Sequence, residues 1–319
     1  MGFIDEGQAR AALEIGRPSA DADMCCRVRG MLIGLVAGDA AGRGTDTLAW
    51  FQTPTCDEDG SPDRSADIAQ ALAVARHLGR RDPPSTGSSL AATMARTWWI
   101  TQDHDGYSEI DRRRLRALMN NSDAQEPHRS TGPRAGISLA VTALPLAART
   151  AAEAQPILEE CARTLGATAA EAVIARAFTA VARTVARHPI PSARTLPTMA
   201  AMRDHLRQGI APVLSSTSGP AGAADAVGLH AAIDAFLTHP EDASAALVEL
   251  GETIGWAPSV RATRITAASM LGALLGAWTG QCGVPVSWRA RIGRPLHVHR
   301  AAGALACGRG PACAVPDRE

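Results

Sequence analysis

The sequence contains no lysine, so all 32 of its basic residues are arginine. A P-loop and Schiff-base catalysis both need a lysine amine, and both classes of site are therefore excluded. The 32 acidic residues balance the basic ones to a net charge of +0. A neutral chain lacks the basic excess typical of proteins that bind nucleic acids or anionic membranes, so we expect neither partner.

Metal-type cysteine pairs, secretion signals and long apolar runs are missing as well. No two of the seven cysteines have CxxC spacing, which argues against a zinc knuckle or a disulfide framework. Reduced cysteines in a cytoplasmic protein are the simplest interpretation. The first residues include acids and no apolar signal core, and the charge-free run 265–280 is shorter than the roughly 20 residues of a membrane span.

Aromatic residues make up only 3% of the chain, and alanine dominates its apolar residues. Strands favour aromatic and β-branched residues, so this composition predicts an all-α protein. Small residues recur every fourth position in two segments, which places them on one face of each helix. These are Gly30, Gly34, Gly38 and Gly42, and then Ala268, Gly272, Gly276 and Gly280. We expect the two faces to pack against each other, because glycine otherwise costs a helix about 1 kcal/mol per position.

The helical patterns predict one domain with loose ends. We expect a loosely ordered leader at 1–26, a single helical domain at 27–298 and a flexible tail at 299–319. Within the domain, apolar periodicity and proline or glycine breaks delimit the helices. They are predicted at 27–42, 67–78, 90–100, 137–150, 154–165, 168–187, 223–237, 242–254 and 265–279.

Residues 27–42, RVRGMLIGLVAGDAAG, resemble the opening helix of the ADP-ribosylglycohydrolase family, which includes the dinitrogenase reductase-activating glycohydrolases. Three further segments follow in the family's order. SADIAQALA at 65–73 is similar to T-D-D-T-x-x-A-L-A, and STGP at 130–133 stands in place of an Asn-Gly loop. TRITAA at 263–268 precedes GALLGAWTG and stands where the family has D-x-D-T before G-A-x-x-G-A. The resemblance spans about residues 27–292.

This resemblance implies a compact, orthogonal multi-helix fold with a central cleft. In the family, two magnesium ions in the cleft hold the ribose hydroxyls and assist hydrolysis of the bond between ADP-ribose and a side chain. Magnesium requires oxygen ligands, usually carboxylates. Here Ala66, Thr263 and Ile265 stand where the motifs have carboxylates, and only Asp67 remains of the four. We therefore expect no metal ion and no other cofactor.

The acids that remain suggest a different chemistry. Asp46 stands where many relatives carry a glutamate near the reacting ribose, and Asp46 and Asp67 are the candidate catalytic pair, as general acid and base. Asp39 and Asp67 could equally brace helices around an inherited cleft. The candidate substrate-binding residues are Asp39, Ser65, Thr131, Thr263, Arg264 and Thr266.

Three functions remain open. The first is a metal-independent bacterial enzyme that acts through its carboxylates on a small organic substrate, such as one of specialised metabolism. The second is a non-catalytic module that binds ADP-ribose or a nucleotide. The third is a true ADP-ribosyl hydrolase with atypical metal ligands. A separate basic and aromatic patch, Trp288, Arg289, Arg291 and Arg294, could contact a nucleotide or could simply be packed and solvated.

Overall fold

A computed structural model of the chain describes residues 20–43, 65–80, 85–100, 107, 109–120, 138–187, 204, 208, 224–289, 292 and 295–307. These residues contain helices and no β-strand, which confirms the all-α prediction. The helices are α1 Ala20–Gly42, α2 Ala66–Leu78, α3 Gly87–Ile100, α4 Glu109–Met119, α5 Leu139–Ala143, α6 Ala151–Thr164, α7 Ala169–Arg187, α8 Ala224–Thr238, α9 Ala243–Ile254, α10 Arg261–Gly283, α11 Val286–Arg289 and α12 Pro295–Cys307. A 3₁₀ turn, Leu144–Ala148, continues α5.

The two long helices α1 and α10 pack along their small-residue faces and form the centre of the fold. A Cβ added at Gly34 would collide with the carbonyl oxygen of Gly272, and one added at Gly30 would collide with that of Gly276. The same holds for Gly38 against Ala268. The predicted contact is therefore confirmed. Glycine is needed at these positions because each backbone lies where a side chain of its neighbour would otherwise be.

The remaining helices surround this pair. Helices α7 and α8 pack on α10, α12 packs on α1 and α2, and α3 joins α2 to α4 and α6. The large fully buried side chains include Met31, Leu32 and Leu35 of α1. One continuous apolar core results, and it holds the C-terminal end of α1 close to the starts of α2 and α10.

Both ends of the domain are more ordered than predicted. Helix α1 begins at Ala20, inside the segment expected to be a loose leader. The flexible tail predicted from residue 299 is wrong as far as Cys307, because α12 extends that far and buries Val298, Ala301 and Leu305. These residues have helical spacing, and the neighbouring glycines and histidines masked that pattern. Residues 308–319 lie outside the described part of the chain.

The cysteines are not all reduced thiols. Cys25 is disulfide-bonded, whereas Cys26, Cys161 and Cys282 are free. This corrects the expectation that every cysteine is reduced, which rested on spacing alone. Burial raises the pKa of the Cys161 thiol to about 12, so this thiol stays protonated at neutral pH. None of the described helices is long and apolar enough to cross a bilayer.

Candidate functional site

Asp39 lies near the C-terminal end of α1 and has only 2% of its surface exposed. Its Oδ1 accepts a hydrogen bond from the Ser65 hydroxyl at 2.5 Å. Its Oδ2 accepts the Ser65 backbone N–H at 3.3 Å and the Nε–H of Arg43 at 3.2 Å. The carboxylate therefore joins the end of α1 to the residue that precedes α2.

Two opposing effects act on the Asp39 carboxyl. Burial raises its pKa above the usual 3.8, and the Arg43 charge and the Ser65 hydrogen bonds oppose that rise. Burial disfavours the ionised form, whereas donated hydrogen bonds and a nearby cation favour it. Burial is the larger effect, so the carboxyl keeps its proton to a higher pH than an exposed aspartate does.

Ser65 is the N-cap of α2. Its Oγ donates to Asp39 and accepts the N–H of Ile68 at 3.4 Å, which satisfies one of the open donors at the helix start. Ala66, the next residue, is buried with 1% exposure. The structure thus places the Ser65 hydroxyl between two helices, where it donates to Asp39 and accepts from Ile68.

Asp67 lies in the first turn of α2 and is 8% exposed. Its Oδ1 accepts the backbone N–H of Ser138 at 2.7 Å. Ser138 is the N-cap of α5. Asp67 therefore fixes the start of α5 against the start of α2, and its own position near a helix N-terminus favours its negative charge.

The segment TRITAA at 263–268, which stands in place of the family's D-x-D-T motif, lies in the first turns of α10. Arg264 is 4% exposed, and its guanidinium donates to the carbonyl oxygens of Gly42 at 3.4 Å and Gly255 at 3.2 Å. The same guanidinium lies over the Trp256 ring, 4.8 Å from its centroid. Burial, followed by the Arg261 charge, lowers the pKa of Arg264. Arg264 holds the C-terminal carbonyl of α1, while Thr263 and Thr266 are half-buried beside it.

The structure brings together four of the predicted site residues at one end of the central pair. Asp39 contacts Ser65, Asp67 follows two residues later, and Arg264 binds the end of α1. Asp46 and Thr131 lie outside the described residues. Sequence reasoning missed Arg43, Ser138 and Trp256. Arg43 could have been found from its spacing of four residues from Asp39, whereas nothing in the sequence pairs Ser138 with Asp67.

A small cavity lies between α3, α4, α5 and α7, and its lining includes Met94, a hydrogen-bond partner of Gln70 in α2. The Gln70 amide donates to the Met94 carbonyl at 3.0 Å and to the Tyr107 hydroxyl oxygen at 2.8 Å. Met94 lines a cavity of about 30 Å³. An ion pair at its wall joins Arg114 to Glu171 at 3.7 Å. The other lining residues are Asp111, Leu115, Leu139, Leu165 and Ala167.

No group of three or more metal-binding side chains occurs within the described part of the chain. Among the described residues, carboxylates such as Asp39 and Asp67 do not converge on one point. Each of these two already accepts a hydrogen bond from a protein donor.

A comparison with solved structures supports the class of fold. A solved structure described as an ADP-ribosylglycohydrolase-related protein complex superposes with a TM-score of 0.56 at 19% sequence identity, over 89% of this chain and 98% of that one. Its low identity supports the fold alone. No curated protein matches the chain. The sequence profile of the ADP-ribosylglycohydrolase family matches residues 20–312, and the chain belongs to that family.

Proposed function

We propose that this protein is a family member that works without the dinuclear magnesium site. In the proposal it is an enzyme that acts on a small organic substrate by carboxylate acid/base chemistry. Asp46 and Asp67 are the proton-transferring residues, and Asp39 is a positioning residue that holds Ser65. Ser65, Thr131, Thr263 and Thr266 would supply hydroxyl groups to the substrate, and Arg264 closes that end of the site.

The proposal rests on the residues that stand where the family's motifs have metal-binding carboxylates. Ala66 contributes a buried methyl group, and Thr263 and Ile265 contribute no carboxylate. Asp39, a buried acid at the same end of the fold, pairs with the Arg43 guanidinium at 3.2 Å. Two magnesium ions need several converging oxygen ligands, and these residues do not fit such a pair. No catalytic step is therefore assigned to a metal.

Asp67 has the geometry of a positioned carboxylate. One oxygen is fixed by the Ser138 N–H at 2.7 Å, and the residue is nine-tenths buried at a helix start. A carboxylate held in this way keeps its orientation while it exchanges a proton with a bound molecule. Asp39 occupies a drier environment whose main effect is to raise its pKa.

A small cavity beside the start of α5 adjoins the Asp67 contact. Leu139 lines it and directly follows Ser138, the partner of Asp67. Met94 and Leu115 make the rest of the wall largely apolar. The arginine-only, alanine-rich composition is typical of a GC-rich bacterial genome, and we place the substrate in specialised metabolism.

The second candidate function is a module that binds ADP-ribose without hydrolysing it. It is favoured by the fact that Asp39 and Asp67 are each committed to protein donors, as expected of residues that only brace a cleft. The third, a magnesium-dependent ADP-ribosyl hydrolase, requires ligands from other positions.

One set of incubations distinguishes the three candidate functions. The full-length protein is incubated with a metabolite extract in the presence of EDTA, and mass spectrometry follows each compound. We expect one small molecule to be converted by the parent and by Asp234→Asn, an exposed control, but not by Asp67→Asn.

Parallel samples contain an ADP-ribosylated arginine peptide with magnesium, or ADP-ribose alone in a calorimeter. Release of ADP-ribose that EDTA abolishes would establish the metal-dependent hydrolase. Tight binding of ADP-ribose with no conversion of any compound would establish the binding module. Either result contradicts the proposed enzyme.

A further inference from the structure

A histidine and two hydroxyl side chains are linked by hydrogen bonds where α2 and α3 pack together. His77 is in the last turn of α2, and Ser89 and Thr93 lie one turn apart on α3. The Nε2 atom of His77 is 3.0 Å from the Ser89 Oγ, and its Nδ1 atom is 3.1 Å from the Thr93 Oγ1. All three side chains are half-buried, so part of each is accessible to solvent. We call them the serine–histidine site.

The neighbouring contacts indicate where the protons of this site lie. The shorter contact of the Thr93 hydroxyl, at 2.9 Å, is to the Ser89 carbonyl oxygen, which only accepts. Thr93 then accepts the Nδ1–H of His77, and Nε2 carries the lone pair of the ring. The Ser89 hydroxyl donates to that lone pair. Its other acceptor, the Thr86 carbonyl at 2.9 Å, already accepts the N–H of Leu90 at 3.0 Å.

The surroundings of His77 favour the neutral ring. Burial, followed by the charges of Arg80 and Arg96, lowers the pKa of His77. A neutral imidazole whose lone pair meets a serine hydroxyl is the arrangement that activates a serine as a nucleophile. Ser89 also lies in the first turn of the 14-residue helix α3, where the helix dipole favours negative charge on the attacking oxygen.

We propose that Ser89 is a nucleophile that accepts an acyl group from an activated carboxylic ester, with His77 as its general base and Thr93 as the residue that positions the ring. The Ser89 Oγ bonds to the ester carbonyl carbon while its proton passes to Nε2 of His77. The bond from that carbon to the leaving oxygen breaks, and His77 gives the proton to the released alcohol. A water molecule then hydrolyses the acyl-serine by the same steps and restores the free hydroxyl.

The start of α3 restricts the substrate to activated esters. The N–H of Gly87 donates to Glu160 at 2.8 Å, and the N–H of Ser89 donates to the Thr86 hydroxyl at 3.1 Å. These two donors are therefore not free for the oxygen that gains charge when the serine attacks. An ester with a weakly basic leaving group, such as an aryl ester, needs less of this stabilisation.

The serine–histidine site is separate from the carboxylates at the other end of α2. Asp67 and His77 lie ten residues apart on this helix, which corresponds to roughly 15 Å along its axis. The proposed acyl transfer uses neither Asp46 nor Asp67, so its test does not depend on the proposed function.

The first test is to label the full-length protein with a fluorophosphonate, whose phosphorus bonds to an activated serine oxygen as fluoride leaves. Peptide mapping by mass spectrometry locates the label. We expect it on Ser89, and we expect labelling at least about 100-fold slower in His77→Gln, the lower range for a general base. Ser88→Ala is the matched control, because the Ser88 hydroxyl donates to Glu160 and not to the ring. Its labelling should be unchanged, and hydrolysis of p-nitrophenyl acetate should rank the variants in the same order.

The second test locates the ring protons by nitrogen-15 NMR of the histidines, and it needs no variant to retain activity. We expect His77 to carry its proton on Nδ1. If Ser89 and Thr93 only stabilise the start of α3, the proton is on Nε2 and the Ser89 hydroxyl donates to Thr86 instead. If His77→Gln does not fold, Thr93→Val should move the proton to Nε2 and slow the labelling. A proton on Nε2 in the parent, a missing label on Ser89, or labelling unchanged in the variant that folds would each overturn the proposal.

Discussion

The hydroxyl of Ser65 donates a 2.5 Å hydrogen bond to the buried carboxylate of Asp39. This contact joins the last turn of the central helix α1 to the cap of α2, across 26 residues of sequence. It places one hydroxyl and two acids, Asp39 and Asp67, at one end of the central helix pair.

The stability contributed by Asp39 should fall as the pH rises. Burial raises its pKa above 3.8, so above that pH the folded state retains a proton that the unfolded state has lost. A group that binds its proton more tightly in the folded state stabilises it at low pH, and this stabilisation disappears as the pH passes the folded-state pKa.

Thermal melts from pH 4 towards neutrality measure this pH dependence of the stability. Asp39→Asn lacks the titration, so the melting temperature of the parent should fall relative to that of the variant as the pH rises. Asp234→Asn, on the exposed face of α8, should show no such trend. A difference that instead grows in favour of the parent would mean that Arg43 and Ser65 outweigh burial.

Gly34→Ala should destabilise the protein by about 1–3 kcal/mol, because the new methyl group would overlap the Gly272 carbonyl at the centre of the fold. Gly303→Ala is the matched control: this glycine lies within α12, and nothing is within 4 Å of the added Cβ. The control should gain about 0.5–1 kcal/mol from reduced chain entropy. Urea unfolding measures both. Equal stability of the two variants would show that α1 and α10 do not make this contact.

Arg264→Leu should lower the free energy of unfolding by about 1–3 kcal/mol, since it removes charged donors from the Gly42 and Gly255 carbonyls. The Trp256 ring also loses the guanidinium above it. Arg261→Leu replaces an exposed arginine in the same turn and should change stability by less than about 0.5 kcal/mol. Similar losses in both variants would remove Arg264 from its structural role.

Turnover on the substrate should depend on the two candidate catalytic acids. Asp46→Asn and Asp67→Asn are each expected to lower turnover at least about 10²-fold, the lower range for general acid or base catalysis. Steady-state kinetics and a thermal melt on each variant separate loss of chemistry from loss of fold. Full activity in both variants would refute acid/base catalysis and favour the binding module.

The sequence predicted the fold more completely than the site, and the reason is physical. Glycine at every fourth position leaves few alternatives to close helix packing, and Gly30, Gly34 and Gly38 meet α10 as expected. Helix α12 was missed because Gly303 and the histidines interrupt an otherwise apolar face. In the site, Asp39 meets Ser65, and Asp67 meets Ser138 across 71 residues. Such long-range backbone contacts leave no periodic signal in the sequence.

The central claim is that magnesium has no place in this site, and calorimetry tests it most directly. Magnesium and then manganese are titrated into the full-length protein, with a magnesium-dependent family member as the positive control. Because Ala66, Thr263 and Ile265 offer no carboxylates, we predict no tight binding of either ion. A saturable site of micromolar affinity for either ion would contradict this account.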